Sequence, residues 1–319
     1  MSTSLMVTRS AQNIFKGVLL WFDTYHNNYS DTEQSKLRSI DWTRSIPFFL
    51  LHVSCIAVFF VGWSPFAIIF AIALFFIRMF AITAFYHRYF SHKTFKTHRL
   101  TQFLFAALGA TAVQRGALWW AAHHRTHHVA SDKSNDQHSP KQHGFLWSHM
   151  GWFLSKKNFS TELNKIKDFA KFPELRFLDR YDAFVPLLFA ASIYCLGVLL
   201  EAYAPALQTN GEQLLVWGFV ISTVLLYHST FMINSLAHLI GKKVFPSKDD
   251  SRNNFWLAIL TLGEGWHNNH HYYPGSARQG FLWWEIDLTY YGLKLLEGIG
   301  LIWDMRTVPE RVLKERLAS

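Results

Sequence analysis

The 319-residue chain is half hydrophobic and 17% aromatic, and only 17% of it is charged, against about 25% in a globular protein. That balance excludes intrinsic disorder and argues against an ordinary soluble enzyme, whose surface so few charges would leave largely apolar. The net charge of +9 comes with no compact basic motif, which speaks against nucleic acid, and the two cysteines, Cys55 and Cys195, lie singly in apolar runs, which excludes a disulfide framework or a cysteine zinc site.

Residues 1–45 are polar, so no secretory signal is expected there; they read as a cytosolic segment with an amphipathic helix. A membrane domain over 46–305 and a tail over 306–319 follow. Four apolar stretches, 46–62, 66–86, 183–200 and 214–233, are each long enough to cross about 30 Å of hydrocarbon. Trp63-Ser64-Pro65 leaves room only for a tight turn, so the first two spans form a hairpin. Glu201 to Gln213, with Pro205 and Asn210-Gly211, closes a second hairpin. Leu100 to Trp120 and Phe281 to Trp303 are apolar but carry buried-unfriendly polar groups, and are predicted to lie as amphipathic helices at the interface. The fold class is therefore all-α: a polytopic membrane protein with four transmembrane helices in two hairpins and a cytosolic helical cap.

Charge orients the chain. Of 31 Lys and Arg, five precede the first span, fifteen lie between Tyr86 and Ala183, ten follow Ile233, and one, Arg78, lies inside the second span. Both hairpin loops lack Lys and Arg, so both termini and the middle segment are expected to face the cytoplasm, as in a bacterial inner membrane. The positive charge then meets anionic lipid headgroups.

Three windows, His87–His92, His123–His128 and His267–His271, hold nine of the 17 histidines. His124, His127 and His128 stand at i, i+3 and i+4 and share one helix face, as do His267, His270 and His271. Asn234 and His238 form an i, i+4 pair after the last span. His87 and His92 lie about 140° apart on an α-helix, so they can converge only if that helix ends or bends. About nine imidazoles on one membrane face exceed the four ligands of a single zinc, and two transition-metal ions are the economical reading. Neutral ligands leave such a centre strongly cationic, so nearby carboxylates are expected to orient the imidazoles: Asp132, Asp136 and Glu264 are the candidates. His52 and His228 lie within spans, where a membrane haem or metal-transport role competes with simple burial or hydrogen bonding.

These motifs, HRYFSH (87–92), HHRTHH (123–128), GFLWSHMGW (144–152), NSLAHLIG (234–241) and GEGWHNNHH (263–271), resemble the integral-membrane fatty acid desaturases, specifically the acyl-CoA Δ9 (stearoyl-CoA) branch. The resemblance implies two irons. His87, His92, His124, His128 and His270 would hold one; His127, His238, His267 and His271 would hold the other, with Asn234 reaching it through water. His123 is an extra histidine outside that set. The implied reaction is O2-dependent desaturation of a saturated acyl chain, with two electrons from the C–H bonds and two from a separate donor. No haem, flavin or iron–sulfur motif is present, so a ferredoxin, rubredoxin or cytochrome b5-like carrier with its reductase is the expected partner on the basic cap. A CoA thioester is the expected carrier, with an acyl lipid left open. Ala122 and His123 replace an Arg-Asp pair, and Ser139–Phe145 departs from the CoA-contacting segment, leaving Lys141 as a solvated lysine. The resemblance also places the closed end of the acyl tunnel near Ala71 and Phe75. A histidine-box hydroxylase, using the same metals to make an alcohol, is the alternative.

Overall fold

The computed structural model describes residues 17–25 and 39–318. The expected N-terminal amphipathic helix falls mostly outside the described residues; of the part described, Trp21 Nε1 donates to the Thr43 carbonyl at 2.9 Å, tying that segment to the first span.

Four helices are long and apolar enough to cross a membrane: Trp42–Val61, Pro65–Ser91, Phe184–Tyr203 and Gly211–His238. Their starts are written locally. Asp41 accepts from the Arg44 backbone at 3.3 Å, Ser64 caps a helix that begins with Pro65, and Asn210 accepts from the Gln213 backbone at 2.8 Å, each satisfying an orphan N–H of a first turn. Between the first two spans Gly62 takes a φ of 66°, a conformation that costs a side-chain-bearing residue energy and glycine little. In their most apolar windows the second and fourth helices are 44% and 56% buried, against 11% and 17% for the first and third. The second and fourth therefore form the inner pair, and the other two pack outside them.

The inner helices run past the apolar stretches by five residues each, to Ser91 and His238. Hydropathy falls there because the polar side chains are sheltered by protein rather than lipid. Arg78 is fully buried and is satisfied by neutral groups: the carbonyls of Leu74 and Thr111, each at 3.2 Å, Thr223 Oγ1 at 2.7 Å, and Ser222 Oγ. Thr111 ends the helix Arg99–Ala110, so the guanidinium meets the negative end of a helix dipole.

Two interfacial helices expected from the sequence take a different form. Leu100 to Trp120 is two helices, Arg99–Ala110 and Ala117–Ala130, separated by a turn in which Val113 and Arg115 adopt φ of 58° and 68°. The second of these is drawn into the protein: Leu118, Trp119, Ala121 and Ala122 are buried. The polar groups that marked the segment as amphipathic are paired internally, Gln102 with the Tyr89 hydroxyl at 2.9 Å and Gln114 with Thr230 Oγ1 at 2.8 Å. Phe281 to Trp303 is helical only over Leu288–Gly298, where Leu288, Tyr291 and Leu295 are exposed on one face. A two-stranded pairing, Lys96↔Trp303 and Thr97↔Ile302, fastens the chain after the first histidine window to the end of the cap.

Candidate metal centre

The inner pair of helices and the cap bring the histidine windows together. Ring nitrogens of His87, His92, His124, His128 and His270 lie within 4.8 Å of one another, and so do those of His127, His238, His267 and His271. His87 and His92 converge where the helix ends, one of the two ways their spacing allowed. The second span widens into a π-helix over Ala81–Ser91, in which residues five apart stack; His92 N–H donates to the His87 carbonyl at 3.3 Å, and the rings sit 4.9 Å apart. The helix then ends. The second window lies on Ala117–Ala130, turned so that His124, His127 and His128 face inward.

The third window sits on a six-residue helix, His267–Tyr272, too short to hold itself. Its two asparagines anchor it from behind. Asn268 Oδ1 accepts from the backbone of Val244 and Phe245 at 2.8 and 2.7 Å, and Asn269 Nδ2 donates to Glu285 and to the Gln279 carbonyl, both at 2.9 Å. Gly263, at φ 125°, packs against Asp287 so closely that any side chain would collide with the carboxylate.

Four carboxylates decide what the histidines can do. His87 Nδ1–H donates to Glu264 at 2.5 Å, His127 to Asp136 at 3.1 Å, His238 to Asp132 at 2.8 Å and His271 to Asp249 at 2.7 Å. Burial pushes the Glu264 carboxyl up, but His87 and Arg88 outweigh it and hold the group down to about 2. Asp132, Asp136 and Asp249, although partly buried, are likewise held well below the usual carboxylate range by their histidines. An ionised carboxylate only accepts, so each partner imidazole carries a proton on Nδ1 and turns its Nε2 inward. Burial, and then the neighbouring imidazoles, push His92, His124, His128, His267 and His270 well below the ordinary histidine value, and His271 to about 4. They are neutral at pH 7.

The inward Nε2 atoms meet head to head: His87 with His270 at 3.0 Å, His92 with His124 at 2.8 Å, His128 with His270 at 3.0 Å and His238 with His267 at 3.0 Å. His267 Nδ1 and His271 Nε2 are buried without a hydrogen-bond partner. Converging lone pairs cannot satisfy one another, and each set fits a cation. All-imidazole donors suit iron, zinc, copper or nickel rather than magnesium or calcium.

His123 joins neither set. Its Nδ1 lies 2.6 Å from Gln137 Oε1, and its ring packs against Trp119 and Trp152. His138 stacks on His127 with ring centres 4.2 Å apart, beside Asp136. His52, His228 and His149 form a hydrogen-bonded string, with links of 3.3 and 3.0 Å; each uses separate nitrogens for separate partners, so they present no common centre. Lys141 pairs with Asp250 at 2.8 Å.

A cavity of about 730 Å³ reaches His87, His124, His127 and His267, with Asn234 in its wall. Along the second span it is lined by Met79, Ile82 and Thr83, but not by Ala71 or Phe75. Those two residues are buried among side chains, Phe75 edge-on to Phe76 at 5.1 Å. Ala71 and Phe75 thus do not wall this cavity, whose second-span wall stops at Met79 while its fourth-span wall runs on to Leu215 and Phe219. Three partners escaped sequence reasoning: Asp249, Gln279, which donates to Glu264 at 2.9 Å, and Arg88, which holds Glu264 at 3.0 Å and Asp287 at 2.9 Å. Arg88 carried a signal, a cation inside a histidine window on the second span. Asp249 and Gln279 stand at no informative spacing from the histidines they serve.

Helical membrane architecture and two buried imidazole sets mark a class of metal-dependent membrane enzymes, and comparison with known proteins narrows it. Residues 15–294 match the family described as Fatty acid desaturase. Over 231 residues the chain is 38% identical to the palmitoyl-monogalactosyldiacylglycerol delta-7 desaturase of Arabidopsis thaliana, covering 72% of this chain and 58% of that one. It is 37% identical to an acyl-CoA 5-desaturase of Anemone leveillei, covering 84% of this chain and 80% of that one. It is 34% identical to the sn-1 stearoyl-lipid 9-desaturase of Anabaena variabilis, covering 85% and 96%. The chain belongs to the fatty acid desaturase family.

Proposed function

We propose that this protein is an O2-dependent Δ9 desaturase that introduces a cis double bond into a saturated acyl chain, with one iron held by His87, His92, His124, His128 and His270 and a second by His127, His238, His267 and His271. The observation that carries this reading is the pair of converging neutral imidazole sets at the wall of a long apolar cavity. Asn234, in the cavity wall, would hold a water to the second iron. Bound iron would supply the O2 activation that removes hydrogen from an unactivated methylene pair, chemistry no acid or base can perform. Four electrons reduce O2 to two waters; two come from the C–H bonds and two from a ferredoxin, rubredoxin or cytochrome b5-like donor served by its reductase.

The chain's own residues do the rest. Glu264, Asp136, Asp132 and Asp249 fix the tautomers of four ligands and offset the charge of the ions. Trp120, the Gln114–Thr230 pair and the apolar walls shape the cavity and keep water from the reacting carbons. The asymmetry of Lys and Arg supports placing both termini, the cap and the centre on the cytoplasmic side, with the membrane domain over 46–305. The motifs favour a CoA thioester as carrier, while the relatives act on CoA-bound and on lipid-bound chains.

The test is expression in a host that lacks Δ9 unsaturated acids, with gas chromatography of its lipids and iron analysis of the purified protein. A new Δ9 cis-monoene and two irons per chain are expected. A hydroxy acid in place of the alkene would favour the hydroxylase, and zinc in both sites with no oxidised product would overturn the reading.

A further inference from the structure

The match to the desaturase family ends at residue 294, and the helix Glu310–Ala318 lies beyond it. One face of that helix is ordinary surface, where Glu310 and Lys314 form an exposed i, i+4 pair at 2.8 Å. The other face is closed against protein. Val312 is fully buried and packs with Phe245 and Phe281. Further along, Arg316 Nε and Nη2 donate to Glu285 Oε1 at 3.1 and 2.6 Å, and Glu315 accepts from the Tyr272 hydroxyl.

These contacts end on groups that hold the third histidine window. Phe245 gives its backbone N–H to Asn268, and its ring stacks on Tyr272, next to His271, with centres 4.2 Å apart. Glu285 divides its two oxygens. Oε1 faces Arg316, while Oε2 accepts from Asn269 Nδ2 at 2.9 Å and from the Leu282 backbone at 3.0 Å. Asn268 and Asn269 stand between the clustered histidines of a helix too short to hold itself, so whatever anchors the asparagines aims His267, His270 and His271. The Glu285 side chain is 1% exposed, and a charge that deep needs its counter-ion. Without it the carboxylate takes a proton or admits water, and either loosens the grip of Oε2 on Asn269. Asn253 also donates to Asn269, at 2.7 Å, so losing the arginine slackens the window rather than unfolding it.

Resting on the reading of the two imidazole sets as metal sites, we infer that Arg316 is a positioning residue for both: through Glu285 and Asn269 it clamps the third window, and the helix Glu310–Ala318 is the clasp that carries it. The window supplies His267 and His271 to the second set and only His270 to the first. The second ion should therefore feel the loss of the clamp more.

Cobalt(II), a metal that imidazole sites accept, reads this without turnover. The full chain in detergent is loaded with cobalt and titrated with a chelator, following the visible bands of the bound metal. Arg316→Met keeps a long apolar side chain and removes the charge; affinity at the second set is expected to fall by about tenfold, with a smaller fall at the first. Arg316→Lys, which keeps the charge but not the fork, should lie between wild type and Arg316→Met. Adding Glu285→Gln to Arg316→Met should recover most of the loss, because the amide oxygen still accepts from Asn269 and no buried charge is left. Lys314→Ala, on the exposed face, should change nothing. Wild-type cobalt affinity in Arg316→Met and Arg316→Lys, with only the metal-free melting temperature lowered, would mean a merely structural clasp and overturn the proposal. If Arg316→Met does not fold, Arg316→Lys and the double variant decide by the same comparison, and no recovery in the double variant overturns the route through Glu285. A wild-type chain that binds no cobalt at either set would remove the metal reading and the clasp with it. The expected order of cobalt affinities, with no alkene from the iron-loaded protein, would leave the clasp standing and remove the desaturase reading instead.

Discussion

A carboxylate stands behind four of the nine clustered imidazoles, His87, His127, His238 and His271, and turns their Nε2 atoms inward. His123 shows the contrast: it is as buried as its neighbour His127, yet faces an amide, Gln137, and two indole rings. His123→Ala should therefore keep both irons and most activity. Alanine at any of the nine clustered histidines should cost an iron by elemental analysis, and with it activity. A His123→Ala protein that folds normally but holds one iron would overturn the assignment of the two sets. Asp249 provides a finer test. Asp249→Asn leaves the volume unchanged but frees His271 to take the other tautomer, and metal affinity should fall about 10–100-fold, read by competition with a chelator. Helix spacing made the shared faces of His124, His127 and His128 and of His267, His270 and His271 legible in the sequence, while the set of nine came from the motifs' resemblance to the desaturases. Asp249 was not legible, because it stands 22 residues from His271 and is brought there only by the path of the loop.

At the scale of elements, patterning located all four long helices, and missed how far the inner two continue and how the first window closes. Hydropathy reports the solvent around a helix, so it falls silent where lipid gives way to protein, although the helix goes on to Ser91 and His238. The π-helical turn was illegible for a different reason: its hydrogen bonds shift by one residue, and no residue type demands that. The same blindness to the inner face applies to the cavity. Counting along the second span led to Phe75, whereas the cavity is lined by Met79, one turn nearer His87. Met79 is completely buried, unbranched and bulky, and stands in the cavity wall where the methyl half of a chain would pass. Met79→Ala should shift preference toward longer acyl chains without moving the double bond, because the metal centre and the ester end stay fixed. Phe75→Ala should leave the chain-length profile unchanged. Gas chromatography of products from mixed saturated chains distinguishes the two, and a shift in Phe75→Ala alone would return the stop to its expected place.

The whole molecule joins a membrane body to a centre made of neutral imidazoles, and both properties have measurable consequences. Cysteines introduced at Trp63 and Gln208, in the loops free of Lys and Arg, should be labelled from the face opposite to that of a cysteine at Ser134, which is exposed on the cap; labelling from a single face would overturn the orientation. The second consequence concerns acid. In the metal-free folded protein His92, His124, His128, His267 and His270 are held well below their ordinary value by burial and by each other, and His271 lies at about 4. Unfolded, each returns to about 6.5. Between about pH 6.5 and 4 the unfolded chain therefore binds more protons than the folded one, and stability rises with pH across that window. The contribution is fully present above the unfolded value and is lost as pH falls through it. Glu264, depressed to about 2, adds the same sign only below about pH 4.3. Metal-free protein in detergent should thus melt at steadily lower temperature from pH 7 to pH 5. Iron-loaded protein should hold its melting temperature until protons outcompete the metal, since ions bind the folded, deprotonated set alone. A metal-free melting temperature that is flat between pH 7 and 5 would mean that the imidazoles are already protonated in the fold, and that the two sets do not present the bare nitrogens on which the proposed iron sites depend.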